Sequence, residues 1–149
     1  MNLTKWDERF IGLAKLVGSW SKDPSTKVGA VIVDCNNRII SVGYNGFPKG
    51  VKDNKERLND RESKYDIIIH AEANALSFAS KSVEGCTLYT YPFQPCSRCA
   101  GLIIQHGIKR VVSQKDSKAS ERTMSWGKNF ELANTLFSEA GVEMEYYDA

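Results

Sequence analysis

Residues 86–112, CTLYTYPFQPCSRCAGLIIQHGIKRVV, decide how this chain folds. Cys86 to Tyr91 reads as a strand, and Cys96 to His106 reads as a helix closed by Gly107. Val111-Val112 then marks a second short strand. Further on, Trp126, Phe130, Ala133, Phe137 and Ala140 form a helical stripe ended by Gly141, and Val142 to Tyr147 reads as a last strand. Strand, helix, strand, helix, strand in that order implies right-handed crossovers and parallel pairing, an α/β class.

Upstream, Thr4 can cap a first helix, with Asp7 three residues on. Trp6, Phe10, Leu13, Val17 and Trp20 follow as one apolar stripe, and Pro24 closes the segment. Val28 to Val33 and Arg38 to Tyr44 are β-branched-rich runs around the turn cluster Asp34-Cys35-Asn36-Asn37, the pattern of a β-hairpin. The expected sheet is therefore mixed and five-stranded, an antiparallel hairpin followed by parallel strands, covered by helices. Asn45 to Tyr65 is a polar loop of about 20 residues, long enough to suggest a functional role, with a possible helical turn near Asn54 to Leu58. Ala71 to Lys81, rich in alanine with Leu76 and Phe78, reads as the helix that follows it.

The 149 residues are expected to form a single domain, 1–149, without disulfide staples. At 42% hydrophobic and 26% charged the chain reads as an ordinary soluble protein and excludes a disordered one. Twenty basic against 18 acidic residues leave +2, which argues against a histone-like nucleic-acid binder but allows a local basic pocket. No apolar run approaches a membrane span, and charge interrupts the N-terminus at once, so a cytoplasmic location is expected. In such a compartment the cysteines Cys35, Cys86, Cys96 and Cys99 are buried thiols, metal ligands or catalytic thiols.

Two motifs carry chemistry: His70-Ala71-Glu72 and Pro95-Cys96-Ser97-Arg98-Cys99, each at a helix start. Cys96 and Cys99, three apart, can reach one ion from a single helix face. One histidine from a neighbouring helix adds a third bond, and three protein ligands with an open position make the catalytic arrangement of zinc. Glu72 can then collect and deliver the proton of an activated water. His-x-Glu with Pro-Cys-x-x-Cys is the signature of zinc nucleobase deaminases.

The segments Ser21 to Ala30, Gly43-Tyr44-Asn45-Gly46-Phe47-Pro48, His70 to Ala75, Pro95 to Cys99 and Leu136 to Val142 together resemble the deoxycytidylate (dCMP) deaminase family over nearly the whole chain. The resemblance implies a three-layer α/β/α domain that hydrolyses dCMP to dUMP and ammonia by attack of activated water on C4, in the supply of dTTP precursors. It implies one Zn2+ per chain held by His70, Cys96 and Cys99, with Glu72 as proton shuttle and Asn45 in the nucleotide site. The backbone N–H of Ala71 and a carbonyl near Tyr91 are expected at the base edge. For the 5′-phosphate, Lys22, Ser25, Thr26 and Lys27 compete with Arg57 and Arg61 of the long loop. The family also implies a homohexamer, activation by dCTP and inhibition by dTTP. Tyr91-Pro92-Phe93-Gln94-Pro95 departs from the plainer approach of many relatives and leaves open whether a modified base is preferred. The chain lacks the spare His and Cys for the extra structural zinc of some viral relatives.

Blander readings stand beside these. Cys-x-x-Cys alone is also a redox pair, Asn45-Gly46 also turn chemistry, and His106 a partner for free helix carbonyls. Cys35 and Cys86 read as inert thiols. A tRNA adenosine deaminase of the same fold, a non-catalytic RNA-binding zinc domain and a structural zinc domain are the rival functions. The 25 residues between Tyr44 and His70 favour the mononucleotide enzyme.

Overall fold

The computed structural model describes residues 3–115 and 127–148. Helix α1 (Lys5–Gly18) leads into the hairpin β1 (Gly29–Val33) and β2 (Ile39–Tyr44), followed by two short helices, α2 (Lys55–Asn59) and α3 (Arg61–Ile67). Then come α4 (Ala71–Phe78), β3 (Thr87–Tyr91), α5 (Ser97–Gln105), β4 (Arg110–Gln114), α6 (Lys128–Ala140) and β5 (Glu143–Tyr147). The sheet order is β2-β1-β3-β4-β5. β1 runs antiparallel to β2 and β3, whereas β3, β4 and β5 are mutually parallel. The hairpin turn is fixed by the Asp34 carboxylate, which accepts from the backbone N–H groups of Asn36 and Arg38, both at 2.9 Å.

Residues alternate along each strand, so one sheet face meets α1 and the other meets α4, α5 and α6. Phe10, Ile11 and Ala14 pack on Val31, Val33, Tyr89 and Val112. Ile32, Leu88 and Val111 pack from the opposite face on Ala75, Leu76, Ala100, Ile103, Ala133 and Phe137. Both faces of β1 are thus covered, and all five of its residues are buried. This is the three-layer α/β/α arrangement.

Two helices come unusually close to the sheet because glycine permits it. A Cβ on Gly29 would lie 1.9 Å from the Ala14 carbonyl oxygen of α1. A Cβ on Gly43 would lie 2.4 Å from the Ala75 nitrogen and 2.5 Å from the Ala71 oxygen of α4. The helix that follows residue 70 therefore rests backbone-to-backbone on β2.

Thr4 and Asp7 form the expected capping box: the Asp7 N–H donates to Thr4 Oγ1, and the Thr4 N–H donates to Asp7 Oδ2. Asp7 does more than cap. It is buried, accepts from the Tyr89 hydroxyl, and takes both Arg110 guanidinium nitrogens at 3.0 Å. Arg110 also pairs with Glu145 of β5. Burial opposes ionisation of Asp7, yet hydrogen bonds from Arg110, Tyr89 and Thr4 outweigh it and hold its carboxyl at about 2.

Several boundaries differ from the sequence expectation. Trp6 and Trp20, at the two ends of the apolar stripe, are 41% and 53% exposed, Trp20 lying beyond the last residue of α1. The helix expected over 71–81 stops at Phe78: the 80–82 segment is exposed, and the chain must turn to insert the buried Val83. α2 falls where the helical turn was expected, and α3 was not foreseen. Trp126 lies outside the described residues. Among those residues, no helix is long and apolar enough to cross a membrane.

Two stability measurements check this account. Asp7→Asn leaves Arg110 short of a buried partner, so urea unfolding at pH 7 is expected to show a loss of about 3 kcal/mol. The folded carboxyl titrates at about 2 and the unfolded one at about 3.9. The wild-type contribution is therefore complete above roughly pH 4 and fades as pH falls through 2, a slope absent in Asp7→Asn. An identical acid slope in both proteins would refute the network. Gly43→Ala is expected to cost about 1–3 kcal/mol by overpacking. Gly12→Ala, which has open space around it on α1, should instead gain roughly 0.5–1 kcal/mol.

Candidate active site

His70 and Cys96 occupy equivalent places, each an extended N-cap residue, φ −69° before α4 and φ −75° before α5. The chain before His70 is held by a two-bond bridge: the Gly46 N–H donates to the Ile69 oxygen at 3.1 Å, and the Ile69 N–H to the Gly46 oxygen at 2.8 Å. Asn74 of α4 donates to the Tyr44 carbonyl at 2.8 Å. With the close approach at Gly43, these contacts aim the α4 N-terminus at the α5 N-terminus.

The result is a cluster. His70 Nδ1 lies 3.5 Å from Cys96 Sγ and 3.4 Å from Cys99 Sγ, and all three donor atoms lie within 4.8 Å of one another. Tetrahedral zinc with bonds of about 2.3 Å to sulfur and 2.0 Å to nitrogen sets a nitrogen–sulfur edge of about 3.5 Å. The donor set and spacing fit that ion. No other group of three such ligands occurs among the described residues.

Electrostatics agree with a cation site. The hydrogen bond from Cys99 draws the Cys96 thiol down to about 4 against its burial, with His70 assisting. Cys99 moves the opposite way, pushed up by that same hydrogen bond and by burial. Two helix N-termini favour the thiolate between them. Glu72, 4% exposed, is pushed to about 7, chiefly by burial, with His70 opposing and the Cys96 charge adding. A dication on the adjacent donors would draw that value down, leaving a carboxyl able to take and return a proton near neutrality.

The cluster opens into a cavity of about 410 Å3 lined on one wall by Phe93, Gln94 and Phe130, and elsewhere by Asn45, Lys64 and Tyr65, among others. Of the sequence candidates, Ser25, Thr26, Asn45, Arg61 and Ala71 line it. Asn45 is buried and bonded to the chain: Oδ1 accepts from the Val28 N–H at 2.8 Å, and Nδ2 donates to the Thr26 oxygen at 2.9 Å. Its oxygen keeps one lone pair for a ligand.

Other candidates lie elsewhere. Lys27 is exposed outside the cavity, because Thr26 and Val28 on either side face it. Tyr91 alternates with Thr90 and packs on the α1 side of the sheet, its ring under Lys15 Nζ. Lys22 pairs with Asp53 at 2.9 Å on the surface, and Arg57 donates to the Lys52 carbonyl. His106 Nδ1 sits 2.9 Å from the Leu102 oxygen at the end of α5. Cys35 is exposed and Cys86 buried, both as free thiols.

Sequence reading missed Asp23 and Lys64. They form a buried ion pair at 3.0 Å on the cavity wall, and Lys64 also donates to Ser25 Oγ at 3.1 Å. Asp23-Pro24-Ser25 carried a usable signal, an Asx turn in which Asp23 accepts from the Ser25 N–H. Nothing in sequence separates Lys64 from its solvated neighbours Lys52 and Lys55.

Residues 4–115 match the family model of the cytidine and deoxycytidylate deaminase zinc-binding region. An uncharacterized deaminase of Aliivibrio fischeri is 46% identical over 144 residues, covering 97% of this chain and 95% of the relative. Human deoxycytidylate deaminase is 40% identical over 146 residues, covering 93% and 77%. The crystal structure of the dCMP deaminase from cyanophage S-TIM5 in complex with dCMP and dUMP superposes with a TM-score of 0.73 at 25% identity, covering 99% and 100%. The chain belongs to the cytidine and deoxycytidylate deaminase family of zinc-binding enzymes.

Proposed function

We propose that this protein is a zinc-dependent hydrolase that deaminates dCMP to dUMP and ammonia, its residues 1–149 forming one deaminase domain. One observation carries this reading: His70, Cys96 and Cys99 converge with buried Glu72 at the wall of a nucleotide-sized cavity. His70 Nδ1, Cys96 Sγ and Cys99 Sγ hold one Zn2+, which when bound supplies the Lewis acidity that makes hydroxide available near neutral pH.

The chain's own residues do the rest. Glu72 takes one proton of the attacking water and passes it to ring N3, then takes the remaining proton from the new C4 hydroxyl and passes it to the amine as the C4–N bond breaks and the C4 carbonyl forms. The Ala71 N–H at the start of α4 is placed to hold the base edge, and Asn45 offers its free lone pair. Phe93, Phe130 and Ile68 line the cavity around the ring and exclude water. A dianionic phosphate suits the same wall, where Arg61 and Lys64 supply cations and Ser25 and Thr26 hydroxyls. α3 and the residue after it bring Arg61, Lys64, Tyr65 and Ile68 of the long segment after β2 to this cavity, an arrangement suited to a mononucleotide. Activation by dCTP, inhibition by dTTP and a cytoplasmic hexamer, as the family resemblance implies, complete the proposal.

Ammonia release tests the reaction. Zinc-loaded protein should turn over dCMP, and faster with dCTP than with dTTP, but not cytidine or a tRNA anticodon stem. Silence on dCMP under every condition defeats the assignment, and turnover of the RNA alone transfers it to a tRNA deaminase. Glu72→Gln should lower dCMP turnover by about 10²–10⁴ while keeping one zinc per chain. Its unfolding midpoint should hold or rise, because a buried carboxyl has gone. Loss of zinc from that variant would make Glu72 a support of the metal site instead of the proton carrier. Light scattering of the native protein should return the mass of a hexamer; a monomer mass excludes it.

A further inference from the structure

Gln94 is a polar residue in an apolar place. It is 7% exposed, two positions before Cys96, and it lines the cavity. Its side chain belongs to a closed hydrogen-bond ring of three neutral groups. The Tyr146 hydroxyl of β5 donates to Gln94 Oε1 at 2.5 Å. Gln94 Nε2 donates to Asn134 Oδ1 of α6 at 2.9 Å, and Asn134 Nδ2 donates back to the Tyr146 oxygen at 3.1 Å. The Phe130 and Pro95 carbonyls, each 3.4 Å from Gln94 Nε2, fix which end of that amide is the donor.

The ring joins the two halves of one cavity wall. Phe93 adjoins Gln94 and has its carbonyl held by Thr90 Oγ1 at 2.9 Å. Phe130 lies one helical turn before Asn134 on α6. The two phenyl rings meet at a centroid distance of 5.8 Å, tilted by 42°, and both line the cavity with His70, Glu72 and Cys96. Apolar contact is non-directional and lets such a pair slide; hydrogen bonds with fixed geometry do not. A second tie crosses from α6 to α5, where the Ser97 N–H donates to Asn129 Oδ1 at 2.8 Å and Asn129 Nδ2 to Ser97 Oγ. α6 is therefore stitched to the chain on both sides of Cys96. Burying Gln94 and half-burying Asn134 and Tyr146 costs more than apolar packing would unless their placement matters.

We propose that Gln94, Asn134 and Tyr146 are positioning residues for the deamination: their hydrogen-bond ring fixes the Phe93–Phe130 wall of the cavity against the base of the bound nucleotide. This rests on the reading of the cavity as a dCMP site. The ring touches the cavity through its wall and not through the reacting atoms, so its effect is on fit. A wall that gives also discriminates less between bases that differ by one methyl group.

Tyr146→Phe removes a single oxygen and keeps the ring's packing, and Asn134→Ala opens it from the helix side. Steady-state kinetics on dCMP and 5-methyl-dCMP, with zinc release to a chromogenic chelator, read the outcome on variants whose circular dichroism matches the wild type. Each change should raise KM for dCMP about fivefold, the worth of one hydrogen bond, with kcat moving less than about twofold. The wild-type preference between the two bases should shrink in both variants. The double variant should fall short of the product of the single effects, because an opened ring has little left to lose. Zinc release should match the wild type.

KM and base preference unchanged would make the ring structural only and overturn the proposal, as would fully multiplicative effects in the double variant. Faster zinc release overturns it as well, because the ring would then act through Cys96. A wild type silent on dCMP defeats the reading of the cavity, and that failure is visible before any variant is compared.

Discussion

A nitrogen at one helix start must come within 3.5 Å of two sulfurs from another, and most of the structure answers to that demand. Neither helix is long: α4 has 8 residues and α5 has 9. Such helices do not hold a position by themselves. α4 is placed by resting on Gly43, by the Gly46–Ile69 bridge and by Asn74 on Tyr44. α5 is placed by the parallel pair β3–β4 that flanks it and by the ties from α6. The sheet thus acts as a jig for two helix starts.

Two buried carboxylates show how local partners decide chemistry. Asp7 and Glu72 are comparably hidden from solvent, at 2% and 4% exposure. Asp7 meets a guanidinium, a phenol and a helix start, and is held at about 2. Glu72 also sits in a helix's first turn but meets no guanidinium or phenol; burial dominates and a neighbouring thiolate adds, against His70 and its own backbone N–H, so it stands at about 7. One is a permanent anion suited to structure, the other a proton carrier suited to catalysis. They sit on opposite faces of the same sheet, which keeps their fields apart.

The parts legible in sequence were local in spacing. The hairpin showed through Asp34 to Asn37 and its flanking β-branched runs. The donor set showed because His-Ala-Glu and Pro-Cys-x-x-Cys each compress their chemistry into a few residues. The Thr4–Asp7 cap was readable for the same reason. What stayed hidden depends on partners far along the chain. Lys64 is buried only because Asp23, 41 residues earlier, stands opposite it. Gln94 needs Asn134 and Tyr146 to make sense of its burial. Trp6 and Trp20 share the helical periodicity of the stripe but are exposed in the single chain, which spacing alone does not tell. The exposure of Lys27 and the turn of the Tyr91 side chain toward α1 are not readable from nearness in sequence to a motif.

The Asp7–Arg110 pair spans 103 residues of chain. Closing a loop of that length costs about 4 kcal/mol of entropy, of the same order as the ion pair itself contributes. What keeps α1 in place is then its apolar face, Phe10, Ile11, Ala14 and Val17. That face has a surface to meet only after β1, β3 and β4 are side by side. The helix at one end of the described chain is thus seated on strands drawn from three separate stretches, 29–33, 87–91 and 110–114, and its docking depends on all three being in register.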